Sequence, residues 1–149
     1  MPSPKRIAVL HGVNLDQLGG RDPLFYGDFT LAELERRIEA WAKELGLEAR
    51  CHQTNHEGEY VEHLHRLRST ADGAILNPGS WTHYSWAIRD ALELSGVPAV
   101  EVHISDVMAR EEWRHLSVLD GLVVGRVYGK GADGYREALE TLAEHLGEG

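Results

Sequence analysis

Short apolar runs alternate with stretches of helical period along the whole chain, and that alternation leaves few folds open. Ile7-Ala8-Val9-Leu10, Gly73-Ala74-Ile75-Leu76 and Pro98 to His103 read as buried strands. Leu47 to Gln53 and Gly121 to Val127 supply two more. Between them, Thr30 and Glu33 make a Thr-x-x-Glu capping box ahead of Leu34, Ile38, Trp41 and Leu45, which predicts a helix over 31–45. Asn55 is expected to cap a second helix, with Tyr60, Leu64 and Leu67 inward. A third is expected from Thr82 to Leu94, burying Ala87, Ile88, Ala91 and Leu92, and a last from Gly134 to Leu146. Strands joined through helices of this length form right-handed βαβ units, hence a parallel sheet covered on both faces. The expectation is a single domain over 1–149 with an α/β, flavodoxin-like three-layer fold, its five parallel strands in the order 2-1-3-4-5.

In that order the C-terminal ends of strands one, three and four lie side by side, where open α/β sheets bind their ligands. Asn14, Asn77 and His103 stand at those ends. Glu101 and His103 are two apart in a strand and so project to the same face, where a carboxylate would orient the imidazole as a general acid. A satisfied ion pair at a strand end has the same spacing. The loop Gly19 to Gly27 carries Arg21 and Tyr26, with Pro23 stiffening the path between them. A phenol becomes a base near neutral pH only if its phenolate is favoured by about 3 kcal/mol, which a guanidinium in a water-poor site can supply. An exposed Tyr on a surface loop is the plainer alternative.

A formal net charge of -9 argues against general electrostatic binding of nucleic acid. The apolar runs fall far short of the roughly 20 residues that span a bilayer, and Met1-Pro2-Ser3-Pro4-Lys5-Arg6 has no apolar core of a signal peptide. A cytoplasmic protein is expected. Cys51 is the lone cysteine and reads as a small buried hydrophobe. No His-Glu-x-x-His and no cysteine cluster occur, so no metal site is expected despite nine histidines. Gly129-Lys130-Gly131-Ala132-Asp133-Gly134 matches G-x-G-x-x-G, but only one helix follows it, so the glycines are expected to shape a turn rather than to cradle a dinucleotide.

Taken together, Gly12-Val13-Asn14-Leu15, Leu18-Gly19, Arg21-Asp22-Pro23, Tyr26-Gly27, Asn55-His56-Glu57-Gly58, Asn77-Pro78-Gly79-Ser80-Trp81-Thr82-His83, Arg89-Asp90-Ala91 and Glu101-Val102-His103-Ile104-Ser105, with Arg110 and Arg114, resemble the type II 3-dehydroquinases. The resemblance runs from Arg6 to Tyr135. It implies elimination of water from 3-dehydroquinate to 3-dehydroshikimate through an enolate, in the shikimate pathway, without metal, Schiff base or cofactor. It assigns Tyr26 as base beside Arg21, Asn14 to a water on the enolate oxygen, and His103, oriented by Glu101, as acid. Asn77 and the N–H groups of Ile104 and Ser105 would hold the carboxylate, and His83 and Arg114 the ring hydroxyls. Asp90 matches a residue lent across a trimer interface, in assemblies that are commonly dodecamers. The sequence departs from the family's usual pattern at His11, Val13, Asp16, Asp106 and Met108, and Asp106 adds a negative charge beside the expected carboxylate site. The rival readings are a catalytically weakened homologue that binds a related small carboxylate, and a flavodoxin-like electron carrier.

Overall fold

The computed structural model describes residues 3–148. Its five strands are β1 (Lys5–His11), β2 (Leu47–Gln53), β3 (Gly73–Asn77), β4 (Ala99–His103) and β5 (Gly125–Tyr128). They form one all-parallel sheet in the order β2-β1-β3-β4-β5, the flavodoxin-like arrangement. Central strands of such a sheet are covered on both faces, and every residue of β3 and β4 is buried. The helices are α1 (Pro23–Tyr26), α2 (Leu31–Glu44), α3 (Glu57–Thr70), α4 (Trp86–Ser95) and α5 (Asp133–Glu148). On one face, α2 and α5 pack Leu34, Ile38, Leu139 and Leu142 against Ile7, Val9 and Ile75. On the other, α3 and α4 pack Tyr60, Leu64, Ile88 and Leu92 against Ala8, Leu10 and Leu76. No helix among the described residues is long and apolar enough to cross a membrane.

Several boundaries differ from the sequence reading, each for a local reason. The helix expected from Thr82 splits into a 3-10 turn, Gly79–His83, and α4, because Ser85 caps α4 by accepting the Ile88 N–H at 3.3 Å. That register leaves Ala87 exposed. Strand five begins at Gly125 rather than Gly121, since the Leu122 and Val123 N–H groups turn back to the Leu119 carbonyl. Pairing with β4 starts only when the Val124 N–H reaches the Ala99 carbonyl. Asn55 does not cap α3: its side-chain oxygen accepts the Asn14 N–H at 2.9 Å, and His56 occupies the cap position. Leu45 is the exposed C-cap of α2 rather than an inward residue. Cys51 is only half-buried, though it packs against the α2/α5 core.

Two glycines let β1 and β3 deliver their ends to one crevice. The Gly12 N–H donates to the Asn77 carbonyl at 2.7 Å, and a side chain at Gly12 would run into the Pro78 carbonyl. Gly79 has φ 65, and a Cβ there would stand 2.6 Å from the Val13 oxygen. The chain therefore turns twice in the space of a single contact.

Candidate active site

A cavity of about 190 Å³ opens at the C-terminal ends of β1, β3 and β4. Asn14, Asn77, His103, Ile104 and Ser105 line it from the strand ends, and Arg21 and Tyr26 from the loop that holds α1. His83 and Arg114 close it from the 3-10 turns Gly79–His83 and Glu112–Arg114. Nine of the twelve residues singled out from sequence thus meet in one place, while Glu101, Arg110 and Asp90 lie outside its lining.

Tyr26 ends a four-residue helix that begins at Pro23 and is capped by Asp22, whose carboxylate accepts the Leu24 N–H at 3.0 Å. Arg21 lies flat over the phenol, its Cζ 3.6 Å from the ring centroid, a cation–π contact rather than a hydrogen bond to the oxygen. The group that reaches the oxygen is Arg110, whose Nη1 donates to the Tyr26 hydroxyl at 2.7 Å and to Ser105 Oγ at 3.1 Å. The expected pairing of Arg21 with Tyr26 is present as a contact with the ring face, and Arg110 is the charged donor at the phenol oxygen. Spacing held no signal for it, because 84 residues separate the partners. Burial lowers the Arg21 pKa while the charge interaction with the Tyr26 phenol raises it, and Arg110 and Arg114 lower it further. Three arginines gathered in a chain of net charge -9 make a local site for an anion.

Across the cavity, His103 donates through Nε2 to Glu101 Oε2 at 2.5 Å. Glu101 is fully buried and also accepts from Thr82 Oγ1 and from Ser117 Oγ, with Arg126 Nε 3.5 Å away. Burial alone would push its carboxyl up, but the hydrogen bond and charge of His103, then Thr82 and Ser117, bring it down to about 2. A folded-state pKa below the ordinary 4.5 means that the unfolded chain takes up the proton first on acidification. This contribution to stability is complete above pH 4.5 and drains away as pH falls towards about 2. Urea unfolding of wild type and Glu101→Gln across that window should show the difference between the two curves shrinking as the solution is acidified; a constant difference would refute the assignment.

His83 presents its Nδ1 to the Leu116 carbonyl at 2.7 Å, so Nδ1 carries the proton and donates. Burial lowers its pKa, against the Leu116 bond, which raises it, and His103 and Arg114 lower it further. A lowered pKa favours the neutral ring, in which Nε2 is the acceptor. Trp113, which the sequence reading did not single out, packs edge-on against His83, centroids 5.2 Å apart. Asn77 is partly committed elsewhere: its Nδ2 donates to the Tyr135 hydroxyl at 2.8 Å and its oxygen accepts the Gly79 N–H. Neither the Ile104 nor the Ser105 N–H donates to a backbone acceptor among the described residues, while their carbonyls accept from Gly131 and Gly129. Asn14 has φ 69, a left-handed conformation uncommon outside glycine and tolerated by Asn. Asp106 turns its carboxylate to the Met108 N–H at 3.1 Å and does not line the cavity. Asp90 is exposed on α4 and does not reach the cavity of its own chain.

With this geometry in place, comparison with known proteins is decisive. The family model described as dehydroquinase class II matches residues 5–143. The chain belongs to the class II dehydroquinase family. Among its relatives is the 3-dehydroquinate dehydratase of Pelobacter propionicus, 49% identical over 146 residues, which are 97% of this chain and 98% of that protein. Its counterpart in Thermotoga neapolitana is 52% identical over 137 residues, 92% of this chain and 93% of that one. The crystal structure of the type II dehydroquinase from Propionibacterium acnes superposes with a TM-score of 0.90 at 40% identity, covering 97% of this chain and 99% of the other. The class II dehydroquinases thus share this fold from end to end, and the cavity described above sits at its switch point.

Proposed function

We propose that this class II dehydroquinase eliminates water from 3-dehydroquinate to give 3-dehydroshikimate, a step of the shikimate pathway, with Tyr26 as base and His103 as acid. The observation that carries the reading is a phenol oxygen held by a guanidinium and an imidazole held by a buried carboxylate, both lining one small arginine-rich cavity. Tyr26, with negative charge on its oxygen stabilised by Arg110, removes a proton from the carbon alpha to the ketone. The electron pair moves onto the carbonyl oxygen as an enolate, stabilised through a water that Asn14 holds. Collapse of the enolate forms the carbon–carbon double bond as the C–O bond breaks, and His103 gives its proton to the departing hydroxyl, which leaves as water. Glu101 orients the imidazole and stabilises its cation. The free N–H groups of Ile104 and Ser105, with the remaining amide N–H of Asn77, hold the substrate carboxylate. His83 accepts from a ring hydroxyl through Nε2, and Arg114 donates to another. The test is direct: the purified protein is given 3-dehydroquinate and the absorbance of the conjugated enone is followed. A flat trace at high enzyme concentration overturns the reading.

The two arginines can be separated by kinetics. Arg110→Ala is expected to lower kcat by about 10²–10⁴-fold, the range a positioned general base contributes, because the phenolate loses its charged donor. Arg21→Ala, which removes only the cation over the ring face, should lower kcat less. Steady-state kinetics showing the reverse order would return the phenolate-stabilising role to Arg21.

The assembly is part of the same proposal: a homo-oligomer built from trimers, as a dodecamer, in which Asp90 reaches a neighbour's cavity. Tyr84 and Trp86 beside it are 59% and 58% exposed in the single chain, an aromatic surface of the kind found in interface cores. Asp90→Ala should lower both oligomer size by light scattering and turnover. Full activity in a monomer at assay concentration would refute it.

A further inference from the structure

Behind the crevice, under α2, three side chains far apart in sequence converge: His11, Glu35 and Cys51, with one ligand atom of each within 4.8 Å of the others. The sheet register brings the first and last together. Cys51 pairs with Val9, and His11 lies two residues further along β1, so both project to the α2/α5 face. Glu35 hangs down from α2 and places Oε1 3.8 Å from His11 Nε2. His11 is completely buried, packed at 5.9 Å against the Tyr135 ring, and neither of its ring nitrogens has a hydrogen-bond partner. Buried polar atoms of this kind are rare, and leaving one unsatisfied costs roughly 1–3 kcal/mol.

We propose that His11, Glu35 and Cys51 form a site for a thiophilic divalent cation of the zinc class. An imidazole nitrogen, a thiolate and a carboxylate oxygen are three ligands of the tetrahedral zinc set, and a mixed N, S, O donor group disfavours magnesium and calcium. Zinc bonds of about 2.0–2.3 Å require ligand atoms somewhat closer than the present limit of 4.8 Å, which side-chain rotation of the half-buried Glu35 and Cys51 can supply. The Glu35 side chain is 29% exposed, which leaves an entry path from solvent. Burial, then His52, lowers the His11 pKa to about 4, so the ring offers a lone pair at neutral pH. Burial, then Glu39, raises Glu35; burial, then Glu35 and Glu39, raises the Cys51 thiol. A bound cation reverses both of the latter shifts and releases protons.

Cobalt makes the test specific, because Cys51 is the chain's one cysteine and a thiolate-to-cobalt charge-transfer band can arise only there. Chelator-stripped protein titrated with Co²⁺ is expected to develop that band, saturating at one equivalent per chain, and Zn²⁺ should then abolish it stoichiometrically. Cys51→Ala should lose the band while keeping its turnover in chelator. His11→Asn and Glu35→Gln should each weaken zinc binding by at least about tenfold, since even the outer partners of metal ligands contribute that much. Absence of the band in the wild type overturns the proposal. So does zinc binding in Cys51→Ala equal to that of the wild type, which would assign the metal to surface histidines such as the stacked pair His52 and His63. Should Cys51→Ala fail to fold, the wild-type cobalt spectrum decides alone.

Discussion

Tyr26→Phe should lower kcat by about 10²–10⁴-fold while leaving the affinity for a product-like ligand almost unchanged, as expected when a positioned general base loses only its proton-carrying atom. The ring stays, and with it the contact to Arg21 at 3.6 Å, so the loop keeps its stacking. What goes is the acceptor for Arg110, which keeps its hydrogen bond to Ser105 Oγ and its ion pair with Glu111 at 3.9 Å. Calorimetric titration with 3-dehydroshikimate checks the binding, and enone absorbance checks the rate. More than about a tenth of wild-type turnover in the variant would remove Tyr26 from the role of base, given what such bases usually contribute.

His103→Asn should cost a similar factor of about 10²–10⁴ in kcat, but at a different step, and that difference can be measured. The acid acts after the proton alpha to the ketone has gone. In deuterated water the His103→Asn protein should therefore exchange that hydrogen of 3-dehydroquinate faster than it releases product, whereas Tyr26→Phe should neither exchange nor turn over. Mass spectrometry of recovered substrate separates the two outcomes. Exchange abolished by His103→Asn would mean that the imidazole takes part in removing the proton. Because Glu101 is bonded to Thr82 and Ser117 as well as to His103, the carboxylate keeps two partners in this variant and the fold is expected to survive.

The sequence by itself determined the alternation of strands and helices, the strand order and the crevice where the side chains meet. Those features rest on local periodicity and on the handedness of βαβ units, which act through backbone neighbours and need no tertiary information. It also determined that Asn14, Asn77 and His103 share one edge, because each stands at or just past the C-terminal end of a strand. The motif strings that place the chain among class II dehydroquinases are equally local. Element ends rest on local caps at Thr30 for α2 and at Ser85 for α4, although α4 was expected to start at Thr82; at Gly125 the boundary depends on the distant Ala99 carbonyl. Tertiary structure alone decided which groups touch: Arg110 rather than Arg21 at the phenol oxygen, Tyr135 on Asn77, Thr82 and Ser117 on Glu101, and His11 with Glu35 and Cys51. Each of these contacts joins residues from different elements. Their distances are set by how helices and turns pack on the sheet, and no spacing along the chain encodes that.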